Sequence, residues 1–209
     1  FTIRDCAAKS ATADIVGRGA AFIAADVGVC FADCIVSNCA GYCMAGKCTA
    51  VRCGFFNNYA GNTDSRGVVA REANLLYCLM VGNYGAPGQA VSMGKMVNCT
   101  LVDNRTSGGT GQTINGNNNA GSLAFNNVLV NAGVASTVTS YPAGNALSNA
   151  VSEAFHVVSP MTGDFRLASD SPAVDGGDGA YVKTFSVPEE LEPTKDYGGN
   201  TVATSGTIH

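Results

Sequence analysis

Nine cysteines are the first residues in this chain whose type and spacing could do chemistry. Cys30 and Cys34 stand four apart, as do Cys39 and Cys43, while Cys48 and Cys53 differ by five. Zinc knuckles use short C-x-C spacings of this kind. The flanking residues read as strands, which would spread these thiols along the chain instead of gathering them, so neither metal nor other cofactor is expected. An odd count cannot pair completely within one chain. Four of the nine recur in a column, Cys34, Cys53, Cys78 and Cys99, and buried cysteine serves as a small apolar filler. The column is therefore expected to hold free thiols, while Cys6, Cys30, Cys39, Cys43 and Cys48 leave room for one or two disulfides.

Acid–base chemistry has little to draw on. A glycosidase needs two carboxylates facing one bond, and a calcium-dependent lyase needs clustered acids with a base. Between residues 30 and 132 the only acids are Asp33, Asp64, Glu72 and Asp103. Asp33 and Arg52 occupy the same outward position on successive repeats, which suits a surface ion pair of small energetic weight. His156 reads as part of an apolar strand and His209 is the last residue, so no Ser–His–Asp or Cys–His arrangement can be argued and no catalytic residue is expected. Asp175, Asp178 and Asp196 offer oxygen donors for calcium, without the D-x-D-x-D-G spacing of a binding loop. Tyr59, Tyr77 and Tyr84 are the candidate ligand-binding residues, as aromatic rings for stacking on sugars. Two sequons, at Asn98 and Asn104, complete the inventory.

These residues need a repeating frame to position them. Five segments align: 32–39 (ADCIVSNC), 51–58 (VRCGFFNN), 76–83 (LYCLMVGN), 97–104 (VNCTLVDN) and 125–132 (FNNVLVNA). The central column reads Cys34, Cys53, Cys78, Cys99 and Asn127, spaced 19, 25, 21 and 28 residues apart. Ala32, Val51, Leu76, Val97 and Phe125 precede it by two; Val36, Phe55, Met80, Leu101 and Leu129 follow it by two. Equal parity along a strand puts all three columns on one face, which is taken as the core. Asp33, Arg52, Tyr77, Asn98 and Asn126 then face out. The opening residues Phe1, Ile3 and Cys6 fit the same register. A second short strand precedes each unit, at 19–25, 41–46, 67–72 and 89–94. Five residues past the column stand Cys39, Asn58, Asn83 and Asn104, where asparagine can take left-handed backbone geometry. Stacked about 4.8 Å apart, Asn58, Asn83 and Asn104 should join as an amide ladder. Units of about 20 residues with loop insertions describe a solenoid. The fold expected is an all-β, single-stranded, right-handed parallel β-helix.

Composition agrees with this frame. Only 13% of residues are charged, 26 are glycine, none is tryptophan, and the net charge is −4. The polar surface must be Asn, Ser, Thr and Gly, as the loop 104–122 shows, which suits a secreted or cell-surface solenoid. No Lys or Arg run marks a nucleic-acid partner. No stretch reaches the roughly 18–20 apolar residues of a membrane helix; the most apolar window, 19–36, contains Asp26 and Asp33. Because Phe1 opens directly on strand-like sequence, an upstream signal is expected to have been removed.

The repeat fades after residue 132, and the tail carries a resemblance. Its run GDFRLASDSPAVDGGD (163–178) resembles the G-D-[FY]-x-L-x-x-x-SPA-[IV]-D-x-G ending of bacterial right-handed parallel β-helix surface proteins, many with a choice-of-anchor Q module. AFHVVSP (154–160), the coil VNCTLVDN and the terminus 195–209 resemble the same group. The arginine usual after the last glycine turn is missing, since Thr201 and Val202 follow Asn200, and the closing strand falls short at His209. The resemblance implies coils over 1–132 and a β-rich C-terminal capping module over 133–209, continuous with the solenoid. In that cap Pro172 would fix a bend and Gly176 and Gly177 a sharp turn, with Asp175 bonding its amides. The function expected is a structural or adhesive surface protein without a catalytic site. Its expected partners are copies of itself, joined head to tail, or surface glycans. A carbohydrate-binding or polysaccharide-degrading β-helix stays open as the alternative.

Overall fold

The computed structural model describes residues 2–5, 22–23, 29–41, 43–45, 48–60, 69–71, 73–85, 91–106, 112–116, 123–125, 128–130, 133–134, 157–159, 164–167, 169–170, 177–178 and 207–208. Within these residues every element is a strand and no helix occurs. Strands of successive repeats pair in parallel, so each repeat adds one rung to several sheets at once.

A rung begins on the first face, with Val29–Ala32, Cys48–Val51, Ala73–Leu76 and Val91–Val97 pairing in order. It turns onto a second face, Ile35–Ser37, Gly54–Phe56, Leu79–Val81 and Thr100–Val102, flanked by Thr2–Arg4 and Val128–Val130. It turns again onto a third, Tyr59–Ala60, Tyr84–Gly85 and Arg105–Thr106. A short leading sheet, Phe22–Ile23, Met44–Ala45 and Ala70–Arg71, precedes the first face. It accounts for three of the four expected leading strands. The fourth, at 89–94, runs on into the longer strand Val91–Val97. Register slips there between Ala73 and Leu75, and Asn74 Oδ1 accepts the Lys95 N–H at 3.1 Å.

The corners decide which side chains go inside. The residue before each column cysteine has a left-handed backbone: Asp33 (φ 55°), Arg52 (49°), Tyr77 (52°) and Asn98 (53°). The strand therefore stops before the cysteine and restarts after it, and the alternation of faces is reset. This corrects the expected core. Cys34, Cys53, Cys78 and Cys99 do pack with Val36, Phe55, Met80 and Leu101. Their first-face partners are Ala50, Leu75 and Met96, with Phe31 against them. Val51, Leu76 and Val97 turn the other way and form a second buried cluster with Tyr77, against which Cys30 and Ala32 pack. Tyr77 is buried as well, at 5% exposure, so it is no surface ring.

The second corner repeats the device one step before the asparagine column. The left-handed residues are Asn38, Asn57, Gly82 and Asp103, at φ between 51° and 66°. Asn58, Asn83 and Asn104 are not themselves left-handed, which corrects the expectation for them. Beyond the stack, strands pair antiparallel: Val157–Ser159 with Asp164–Leu167, and Gly177–Asp178 with Thr207–Ile208. Gly177 is thus a strand residue. Phe1, Cys6, Asn126, Asn127, His156, Pro172, Asp175, Gly176, Asp196 and His209 lie outside the described residues.

Gly82 tests the second corner. A Cβ at this position would collide with the Asn57 carboxamide oxygen of the preceding rung. Left-handed backbone costs a non-glycine residue about 1–2 kcal/mol. Gly82→Ala should therefore lower the melting midpoint by about 4 °C in a thermal scan. Adding Asn57→Gly, which removes the collision, should restore part of that loss.

Candidate functional site

The polar groups with most binding capacity are turned inward. A left-handed corner points the next residue's N–H away from the strand ladder and into the interior, where it needs an acceptor. Asn58 Oδ1 accepts the Cys39 N–H at 3.0 Å, Asn83 Oδ1 the Asn58 N–H at 3.1 Å, and Asn104 Oδ1 the Asn83 N–H at 3.2 Å. The same oxygens accept from the neighbouring amides, Asn58 Nδ2 to Asn83 at 3.0 Å and Asn83 Nδ2 to Asn104 at 2.8 Å. Each Nδ2 also donates to a carbonyl of the preceding rung: Val36 O at 3.0 Å, Phe55 O at 3.0 Å and Met80 O at 2.9 Å. The structure thus brings the three asparagines together as one buried ladder, at 1% exposure or less.

Cysteine fills the matching place at the first corner. The thiols of Cys34, Cys53, Cys78 and Cys99 donate to the carbonyl two residues back, at 3.2–3.5 Å. The Cys78 N–H donates to Cys99 Sγ at 3.4 Å. Each of these thiols also neighbours the next along the column. Among the eight described cysteines none is bridged to another, Cys30, Cys39, Cys43 and Cys48 included; Cys6 lies outside the described residues. Parallel in-register neighbours point their Cβ atoms the same way, which suits stacking and not the bridge dihedral. Burial pushes the Cys78 and Cys43 thiols well above the usual range and Cys48 up to about 11. Cys53 is raised first by its hydrogen bond to Cys78 and then by burial. Among the described residues no three metal-binding side chains gather.

Outside, two contacts stand out. Arg52 grips Asp33 with two parallel bonds, Nε to Oδ1 at 2.7 Å and Nη2 to Oδ2 at 2.8 Å. These bonds hold the Asp33 carboxyl below its ordinary range. The Asp33 side chain is 63% exposed, so the pair contributes at most about 1 kcal/mol. Tyr59 and Tyr84 stack on the third face with ring centroids 5.4 Å apart and planes 15° from parallel. Tyr77 lies in the other cluster and does not join them. The sequons fare no better as modification sites in the folded chain. The Asn104 amide is held in the ladder, and both polar side-chain atoms of Asn98 are buried.

Comparison with protein-family models, with curated proteins and with solved structures finds no match to this chain.

The left-handed residue before each column escaped the sequence reading at the first corner. Asn38, Asn57, Gly82 and Asp103 are types that tolerate this backbone, so the second corner carried a signal one residue early. Arg52 and Tyr77 are not, and nothing in their type announces it.

Two measurements probe the columns. Asn83→Ala removes the acceptor of two Asn58 donors and the donor of Phe55 O, all buried. Each such loss costs about 1–3 kcal/mol, so urea unfolding should show a drop of about 3–5 kcal/mol. Asn57→Ala, on the exposed corner, should lose about 1 kcal/mol. Equal losses would sink the ladder's importance. For the thiols, a folded pKa raised above the unfolded 9.0 favours the fold fully below pH 9 and progressively less as pH climbs toward 11. Unfolding free energy should fall over that window. At pH 8 iodoacetamide should modify the seven buried described thiols only after unfolding, as read by intact mass.

Proposed function

We propose that the stacked rungs form a right-handed parallel β-helix closed by a β-rich C-terminal cap, and that the protein is a structural or adhesive scaffold displayed outside the cell. The amide ladder carries this reading. Asn58, Asn83 and Asn104 face inward and bond to one another and to the backbone. Arg52, half-buried, is engaged by Asp33. The ladder amides and the Asp33–Arg52 pair thus serve rung-to-rung stacking. The sparse charge and the Asn, Gly and Thr loops support an extracellular setting. The resemblance of residues 163–178 to surface-protein endings supports the cap, which would shield strand edges from pairing with other chains.

A second reading, glycan binding, rests on Tyr59. Its side chain is among the few exposed large apolar groups, at 48%. The rung before it bridges through Ala40, which carries only a methyl group there. One ring face of Tyr59 is consequently open to a sugar.

Incubation with acidic polysaccharides should give no absorbance rise from unsaturated product; a rise would overturn the scaffold reading. On a glycan array, binding that Tyr59→Ala abolishes would favour the second reading. Light scattering at rising concentration reports whether copies associate end to end.

A further inference from the structure

An aromatic pair stands on the described surface of the third face. Tyr59 and Tyr84 occupy equivalent positions on adjacent third-face strands. Parallel pairing in register fixes their backbones about 4.8 Å apart, and their rings already lie against each other at 5.4 Å. Tyr59 is half exposed and Tyr84 half-buried, so both phenols can be approached from solvent.

Among the described side chains the sulfur groups are largely shielded. Met44, Met80 and Met96 are fully buried. Of the described cysteines, all but the half-buried Cys30 are buried as well. Thiols react through the thiolate, and burial suppresses it at Cys43, Cys48 and Cys78. Of these described groups, the Tyr59 and Tyr84 rings are more open to an oxidant than the buried sulfurs.

We propose that Tyr59 and Tyr84 are an oxidative cross-linking site, at which hydrogen peroxide, used by a haem peroxidase, joins the two rings as an intrachain dityrosine. The peroxide takes one electron and one proton from each phenol, leaving two tyrosyl radicals, and is itself reduced to two waters. The radicals combine through a bond between the ring carbons ortho to oxygen. The hydrogens on those carbons then move to the two oxygens, restoring both phenols. The chain loses two hydrogens in all. Coupling turns the rings from stacked to edge-to-edge, a motion open to Tyr59 on the surface. The product ties two rungs together where the buried thiols form no bridge. It stands independently of whether the scaffold binds glycans or copies of itself.

The test uses the full chain carrying Cys30→Ser, at dilution, with hydrogen peroxide and a haem peroxidase. Expected are dityrosine fluorescence in a band that still runs as monomer and an intact mass lower by two hydrogens. Proteolysis should give one linked peptide pair containing residues 59 and 84. Closing a loop of about 25 residues restricts the unfolded chain, so the melting midpoint should rise by about 5 °C. Tyr59→Phe and Tyr84→Phe keep the ring stack and should each cut the fluorescence at least fivefold with an unchanged circular dichroism spectrum. Fluorescence that survives both substitutions, linked peptides that omit either residue, or cross-linking only into covalent dimers would overturn the proposal.

Discussion

The structure depends on how an inward-facing backbone N–H finds an acceptor. Each rung turns by placing one residue in the left-handed region, and that turn aims the following N–H at the interior. The ordinary ladder continues on either side of it: Asn57 N–H reaches Val81 O at 2.9 Å and Tyr84 N–H reaches Asn58 O at 2.8 Å. Only the corner residue itself is left over. A buried, unbonded amide costs about as much as several favourable contacts return, so the corner is viable only if a side chain from the next rung supplies the oxygen. Asparagine does this with Oδ1 and uses its Nδ2 for a carbonyl that the same turn exposes. One residue type, at one position per rung, thereby sets both the register and the spacing of the stack.

The cysteine column is the weaker version of the same device. A thiol is small enough for a corner packed against Phe55 or Met80, and it donates to the carbonyl two residues back. Its acceptor strength is poor, although the Cys78 corner N–H does reach the neighbouring Cys99 sulfur at 3.4 Å. The two corners therefore divide the work: apolar filling with loose polar contacts at the first, a fully bonded polar column at the second. Cys39 shows that the two roles are related, since it occupies the position of the asparagine column and its backbone N–H donates to Asn58 Oδ1.

Much of this was legible in the sequence, and the failures are instructive. The repeat, its register and the amide ladder follow from residue type at fixed offsets, because stacking in register puts like upon like. Parity did not survive, since alternation holds only along an unbroken strand. The left-handed residue between Val51 and Cys53 resets it, sending Val51, Leu76 and Val97 to the opposite side from the cysteines. An apolar residue of one buried cluster looks no different in sequence from one of the other. Tyr77 was misplaced for the same reason: polarity at Asp33 and Arg52 suggested an exposed column, whereas the third rung of that corner packs against Leu76 and Val97. The tyrosine stack was visible only as two aromatic residues following two asparagines; the parallel pairing of their strands is what turns proximity in pattern into ring contact.

A fold that bonds its corner amides rung by rung commits those positions to the stack. Inward positions are tied to their neighbours above and below, so a change there alters stability before it alters any surface. Outward positions carry no such obligation, and each rung can vary there with little cost to the stack. Asp33 with Arg52 and Tyr59 with Tyr84 are two independent solutions on the same scaffold, one ionic and one aromatic, each joining adjacent rungs. The rungs can differ at such outward residues, because the asparagine column is bonded to the rungs above and below it.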